Sequence, residues 1–239
     1  MEYLDMLAKL GVGNAHPGGF AATLRQLEQY PLPPGSRILE VGCGTGRTAC
    51  YLASQGHEVT GLDIRPEMIA KAKLRAEKER AAAHFIEGDA CALPFPDRSF
   101  DVILVESVSI FTDTCKAFTE YCRALRDGGR LYDREMVQLK AMPEHMNEEI
   151  TRFYQVERIR DLANWEALVK KAGFEKQQLD GPFPFPDISE DLVQYPDDHQ
   201  LIDPGSFTDP DIWEVTSAYN RIMEQYREYI GYVLICGTK

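Results

Sequence analysis

Three glycines, Gly42, Gly44 and Gly46, follow the apolar run RILEV (37–41) without a gap and lead straight into a segment of helical spacing. Glycine lets the backbone take positive φ and lets a ligand approach the main chain closely. A turn of this kind outside the carboxyl end of a strand is where open α/β sheets hold their ligands. The spacing is G-x-G-x-G rather than the dinucleotide fingerprint G-x-G-x-x-G, and Arg47 stands where that fingerprint needs a small residue. Glu40 lies inside the strand, two residues ahead of the first glycine. A carboxylate buried there requires a partner, either a ligand amine or an ordered water. Asp63 ends the second apolar run, about 20 residues beyond the turn, where a carboxylate can accept both hydroxyls of a ribose. Asp89, beside Ala90, closes the third run and can accept an adenine amino hydrogen. Singly, each acid reads as a helix cap or turn residue. Together, at three strand ends, they read as a nucleoside site.

Three further residues are candidates for moving a proton. Glu106 ends the fourth apolar run and Glu135 lies in LYDREM (131–136), so both acids fall near strand ends where an acceptor would be deprotonated. His16, in NAHPGG (14–19), belongs to a segment that can close over the site, and histidine titrates near neutrality. LYDREM departs from the apolar pattern of an interior parallel strand. Asp133 and Glu135 share one face by the period of two. They call for a cationic acceptor, a metal, or an arginine such as Arg134 or Arg158. No convergent set of ligands can be assembled at these strand ends, so no metal is assigned. Phe111, Tyr154, Phe183, Phe185 and Trp213 either line an acceptor pocket or fill the core.

The elements that must position these groups follow from periodicity. RILEV (37–41), EVTGLD (58–63), AHFIEG (83–88) and FDVILVE (100–106) are strands by composition, and GRLYDREM (129–136) is a fifth. Segments 48–55, 66–80 and 114–126 have helical spacing between them, with Pro66 at a first turn and Gly128-Gly129 as a stop. The alternation predicts an α/β fold with a mostly parallel sheet flanked by helices. Helices over 143–154 and 162–172, a strand in FEKQQLD (174–180), a helix over 211–228 and a last strand in YIGYVLICG (229–237) complete the reading. Residues 1–30 form an N-terminal lid with a helical stretch from Phe20 to Tyr30. Residues 31–137 form the ligand-binding core, 138–160 an insertion, and 161–239 the C-terminal part of a single domain. The segment from Gly181 to Pro210, rich in Pro, Asp and Phe, reads as a long ordered loop.

The chain has 239 residues, 44% hydrophobic and 27% charged, which places it among globular domains and away from disordered chains. Its 38 acids and 26 bases leave a net charge of −12, unfavourable for a nucleic-acid partner. No apolar run approaches the ~20 residues of a membrane span, and no secretion signal is visible, so a cytoplasmic monomer or homodimer is expected. Six scattered cysteines without a C-x-x-C pair read as reduced, buried thiols, and Cys115 and Cys122 as a core stripe of one helix.

The stretches ILEVGCGTG, VTGLDIRPEMIAKAK, FIEGDACALPFPDRSFDVILVES and CRALRDGGRL, and more loosely RDLANWEALVKKAGF, resemble the class I S-adenosylmethionine-dependent methyltransferases, in particular the small-molecule group with the E-x-G-C-G-T-G signature. The resemblance implies a Rossmann-like seven-stranded sheet whose last strand inserts antiparallel. It implies S-adenosyl-L-methionine as cofactor, with Glu40, Gly42, Cys43 and Gly44 along the methionine part and Asp63 at the ribose. Ile64 and Met68 would flank the adenine, Asp89 and Ala90 would meet its amino edge, and Glu106 would contact the methionine amine or the acceptor. The implied activity is methyl transfer to a small-molecule acceptor, which needs position and dryness more than a protein nucleophile. A non-catalytic S-adenosylmethionine-binding regulatory protein is the alternative. A nicotinamide oxidoreductase is disfavoured by Arg47 and the missing third fingerprint glycine.

Overall fold

In the computed structural model, residues 1–185 and 193–239 are described. Seven strands lie in one sheet, in the order β3-β2-β1-β4-β5-β7-β6. They are β1 (Arg37–Val41), β2 (Glu58–Asp63), β3 (Ala83–Glu87), β4 (Phe100–Glu106), β5 (Leu125–Gln138), β6 (Lys176–Pro184) and β7 (Ile230–Thr238). Strands β1 to β5 pair in parallel, and β7 inserts antiparallel between β5 and β6. The described helices are α1 (Tyr3–Leu10), α2 (Gly19–Gln29), α3 (Arg47–Ser54), α4 (Pro66–Glu79), α5 (Thr114–Ala124), α6 (Glu144–Tyr154), α7 (Leu162–Lys171) and α8 (Pro210–Tyr226).

The strand period of two divides the core between the faces of the sheet. Ile38, Val102 and Leu104 join Val59, Phe85 and the apolar side of α3 and α4. Leu39, Val41, Ile103 and Val105 join Phe118, Tyr121 and Trp165 beneath α5 and α7. Ile38, Leu39 and Ile103 are completely buried, each burial worth about 1.5–3 kcal/mol. Trp165 satisfies its one donor by giving Nε1–H to the Met136 carbonyl at 3.1 Å, which fixes α7 on β5.

Several expectations need correction. The predicted helix over 114–126 ends at Ala124, and β5 starts at Leu125, so Gly128 and Gly129 fall inside a strand. The sixth strand runs on to Pro184, so the segment expected as loop from Gly181 is partly sheet; residues 186–192 lie outside the described residues. Only Cys43 and Cys50 are buried, and Cys115 is exposed, so Cys115 and Cys122 are not a core stripe. Among the described residues no helix is long and apolar enough to cross a membrane.

The late segment is tied down over the N-terminal helices by cations from α3 and α4. Arg75, 2% exposed, holds Asp197 with both terminal nitrogens at 2.8 and 2.6 Å and gives Nε–H to the Thr45 carbonyl at 2.9 Å. Lys71 bridges the Ala8 carbonyl at 2.6 Å and Asp203 at 2.8 Å. Arg47 donates to Asn14 Oδ1 and to the Tyr195 carbonyl and stands 4.3 Å over the Phe20 ring. The residue that breaks the dinucleotide fingerprint is thus a fastener for both covering segments. Removing one partner of a buried ion pair leaves a charge without compensation. Asp197→Ala is therefore expected to lower stability by about 3 kcal/mol, read as a shifted urea midpoint at unchanged slope. A midpoint equal to wild type would refute the strap.

Candidate functional site

The site forms at the carboxyl ends of β1, β2 and β4. Gly42 and Cys43 both give their N–H groups to the Leu62 carbonyl, at 2.7 and 3.0 Å, which docks the glycine turn on the end of β2. Gly42, Gly44 and Gly46 all have positive φ. A Cβ on Gly42 would lie 2.2 Å from Val108 Cγ2 and one on Gly46 2.7 Å from Phe85, whereas at Gly44 nothing comes nearer than 3.9 Å. The first and third glycines permit packing, and the second leaves the turn's outer surface open to a ligand.

Asp63 is anchored by two main-chain donors. Gly44 N–H reaches Oδ2 and Arg65 N–H reaches Oδ1, each at 2.9 Å. Burial raises its carboxyl above the ordinary range, against the pull of those two N–H groups. Glu40 is 5% exposed, and among the described residues no donor reaches its Oε2. Burial, and then the negative charge of Glu106, push its carboxyl well above the usual range. Glu106 has the opposite balance. Burial works to raise it, but His16, Arg134 and the hydroxyls of Thr23 and Thr48 prevail and hold it below the usual value. Thr23 Oγ1 donates at 2.6 Å and Thr48 Oγ1 at 3.1 Å, while His16 Nε2 lies 3.5 Å away. The N-terminal segment thereby brings His16 and Thr23 onto the end of β4.

At the adenine side, Ile64 is 65% exposed and Met68 is buried in the first turn of α4. Asp89 accepts the Cys91 N–H at 2.8 Å and is exposed, with Ala90 buried beside it. Ten predicted site residues thus gather around one turn and its neighbouring strand ends: Glu40, Gly42, Cys43, Gly44, Asp63, Ile64, Met68, Asp89, Ala90 and Glu106. His16 joins them. Glu135 does not. It is fully buried beneath the turn after β4, where it accepts the N–H groups of Val108 and Ser109 at 2.9 and 2.7 Å.

The expected arginine partners of Asp133 and Glu135 are also corrected. Arg134 points to the other face of the sheet, where it donates to Gln26 Oε1 at 2.7 Å and to the carbonyls of Pro17 and Ala22. Arg158 pairs with Glu157 at the surface. The aromatics, for which an acceptor pocket and core filling were both open, are dispersed: Phe183 and Phe185 pack on Tyr232, Phe111 on Tyr154, and Trp213 is 56% exposed. Sequence reasoning missed Thr23 and Thr48, which hold Glu106. Thr48 stands in the first turn of α3, after GTG at 44–46, and Thr23 one turn into α2, which opens at GG 18–19; nearness to these glycines was the available signal.

This sheet order, glycine turn and set of strand-end acids define a class I S-adenosylmethionine-dependent methyltransferase, and the chain belongs to that family. Residues 38–129 match the family described as methyltransferase domain. Over 238 residues the chain is 32% identical to an uncharacterised methyltransferase of Bacillus subtilis strain 168, covering 100% of this chain and 99% of that one. It is 30% identical over 213 residues to the 27-O-demethylrifamycin SV methyltransferase of Amycolatopsis mediterranei, covering 81% and 74%. Phosphoethanolamine N-methyltransferase 2 of Haemonchus contortus, solved with S-adenosyl-L-methionine, superposes with a TM-score of 0.77 at 22% identity, over 99% of this chain and 57% of that one.

The residues present fit the cofactor of the family. Glu40 Oε2 needs a donor, and an ammonium supplies one; Asp63 keeps acceptor capacity on both oxygens for a diol; Gly44 leaves its surface open. Asp63→Ala is expected to weaken S-adenosylhomocysteine binding by about 1.5–3 kcal/mol, because a charged acceptor is lost from a buried site. Calorimetric affinity within twofold of wild type would remove Asp63 from the site.

Proposed function

We propose that the chain moves the methyl group of S-adenosylmethionine to a small-molecule acceptor by in-line displacement, working in the cytoplasm as a monomer or homodimer. The observation that carries the reading is Glu40, a buried carboxyl at the glycine turn whose Oε2 meets no donor among the described residues. Such a group is costly unless it meets a cation, and the methionine ammonium is the cation a methyl donor brings. Asp63 then orients the ribose, Ile64 and Met68 flank the base, and Asp89 with Ala90 meets the adenine edge. The cofactor supplies an electrophilic methyl on a sulfonium. The protein's part is to hold, align and desolvate.

His16 and Glu106 are the pair for handling an acceptor's proton. Glu106 is held ionised beside the imidazole, which favours its protonated form after proton uptake. The acidic net charge of −12 supports a small acceptor over a nucleic acid. Relatives act on small molecules by name, the Amycolatopsis enzyme on a demethylrifamycin, and the nematode enzyme is solved with phosphomonomethylethanolamine. The binding-protein alternative shares every cofactor contact and differs only in lacking turnover.

Two outcomes are expected. Incubation with methyl-labelled S-adenosylmethionine and a panel of amines, phenols, carboxylates and activated carbons should label an acceptor and release S-adenosylhomocysteine, and His16→Asn should lower kcat at least about tenfold with cofactor affinity retained. Tight S-adenosylhomocysteine binding with no labelled product from any extract or panel member would favour the binding protein. Separately, the raised carboxyl of Glu40 must ionise when an ammonium docks, so binding should release up to about one proton wherever the free protein holds that carboxyl protonated. Calorimetry in buffers of different ionisation enthalpy measures this, and the release should vanish in Glu40→Gln. Equal proton counts in both proteins would refute the role of Glu40.

A further inference from the structure

The face of β5 opposite Arg134 holds a buried group that the proposed function does not use. Asp133 and Glu135 are both 0% exposed. They are flanked by Val105 across β4 and by Ile235 and Val233 across β7. Three donors reach them, all from the turn after β4. Ser109 Oγ–H donates to Asp133 Oδ2 at 2.7 Å, and the N–H groups of Val108 and Ser109 donate to Glu135 Oε1 at 2.9 and 2.7 Å. Among the described residues no other donor reaches Asp133 Oδ1 or Glu135 Oε2, two buried oxygens on residues that share one face of β5. The ionisable groups facing them are Tyr121 of α5, whose hydroxyl is 3.2 Å from Ser109 Oγ, and Arg160 before α7, which acts on Glu135 across space without bonding it. Two adjacent ionised carboxylates in this setting cost far more than one charge and one neutral acid.

We propose that Asp133 and Glu135 share a single proton between Oδ1 and Oε2, and that this acid pair is a positioning latch for the Val108–Ser109 turn. A proton is the one species that satisfies both oxygens without adding volume to a packed core. The carboxyl of Asp133 is pushed up to about 7 by burial, and that of Glu135 well above the usual range by burial and then by Asp133. The latch reaches the glycine turn through Val108, whose Cγ2 occupies the space a Cβ on Gly42 would need. Ser107, at φ 59° with its N–H on the Arg134 carbonyl at 2.7 Å, leads the chain into that turn. The consequence for the cofactor rests on the function proposed above; the shared proton does not.

The direction of the pH effect follows from linkage. The closed latch retains a proton that solvated carboxyls lose above about pH 4. Opening the turn therefore releases a proton. Closure weakens as pH rises above about 4, by about tenfold per unit for the one shared proton, and levels only above the pH at which the pair gives that proton up.

Hydrogen exchange of the Val108 and Ser109 amides, followed by NMR from pH 5 to 8 in the full chain, tests this. In wild type their protection factors should fall as pH rises across this range, by about tenfold per unit for the one shared proton. In Asp133→Asn the carboxamide accepts from Ser109 and donates to Glu135 in place of the proton, so protection should change less than about twofold over the range. Glu135→Gln replaces the proton from the other side and should give the same flat profile. A flat wild type, or variants that keep its slope, would overturn the shared proton. The positioning role is read from S-adenosylhomocysteine affinity. Asp133→Ala should lose at least about fivefold and Asp133→Asn should recover it, since only the alanine leaves Ser109 and Glu135 unmatched. An alanine variant binding as tightly as wild type would overturn the latch as a positioning device. Failure of wild type itself to bind would overturn the cofactor reading and leave the exchange result standing.

Discussion

Negative charge crowded at the carboxyl ends of the central strands governs the rest of the molecule. Glu40, Asp63, Asp133 and Glu135 are buried there and Glu106 is nearly so, and they are stabilised differently. Glu106 receives cations and hydroxyls, Asp63 receives main-chain N–H groups, and Asp133 with Glu135 receives donors from one turn. Glu40 receives no donor at Oε2 among the described residues and, unlike Asp133 and Glu135, has no second unmatched carboxyl beside it on its own strand. A binding site for a ligand that carries an ammonium and a diol is what this distribution of matched and unmatched acceptors amounts to.

The scaffold keeps those acids in place by tying distant parts of the chain to the glycine turn. Leu62 receives two N–H groups from it, Arg75 holds the Thr45 carbonyl, and Val108 fills the space beside Gly42. Arg75 also reaches outward to Asp197, Arg47 beside the turn reaches the carbonyl of residue 195, and Lys71 of α4 ties the carbonyl of residue 8 to Asp203, so α3 and α4 fasten the covering segments. Arg134 does the equivalent for α2, and His16 and Thr23 bring the N-terminal segment directly onto Glu106. That segment and the sheet therefore meet through buried polar contacts, which are costly to leave half made.

Much of this was legible in the sequence because it depends on local pattern. RILEV, EVTGLD and FDVILVE are strands with the expected bounds, since short aliphatic runs bounded by turn residues have few alternatives. Glu40 and Asp63 could be placed from their offsets to Gly42. Long-range pairing was not legible. The period of two correctly set Asp133 and Glu135 on one face, but nothing local says that Arg134 serves α2 or that Ser109 caps the pair from another strand's end. Arg47 was read only as a missing glycine, because its partners lie about 33 and 148 residues away in the chain. Strand β5 outran its prediction at both ends: pairing with β7 carries it to Gln138, while at its start Leu125 pairs with Phe100 of β4 and Gly128 and Gly129 exchange main-chain hydrogen bonds with Lys239.

The most direct measurement is a crystal structure of the full chain with S-adenosylhomocysteine. The account predicts the ligand's amine within hydrogen-bonding distance of Glu40 Oε2, its ribose hydroxyls on Asp63 and its adenine between Ile64 and Met68. A ligand bound with its amine away from Glu40, or elsewhere on the molecule, would contradict it.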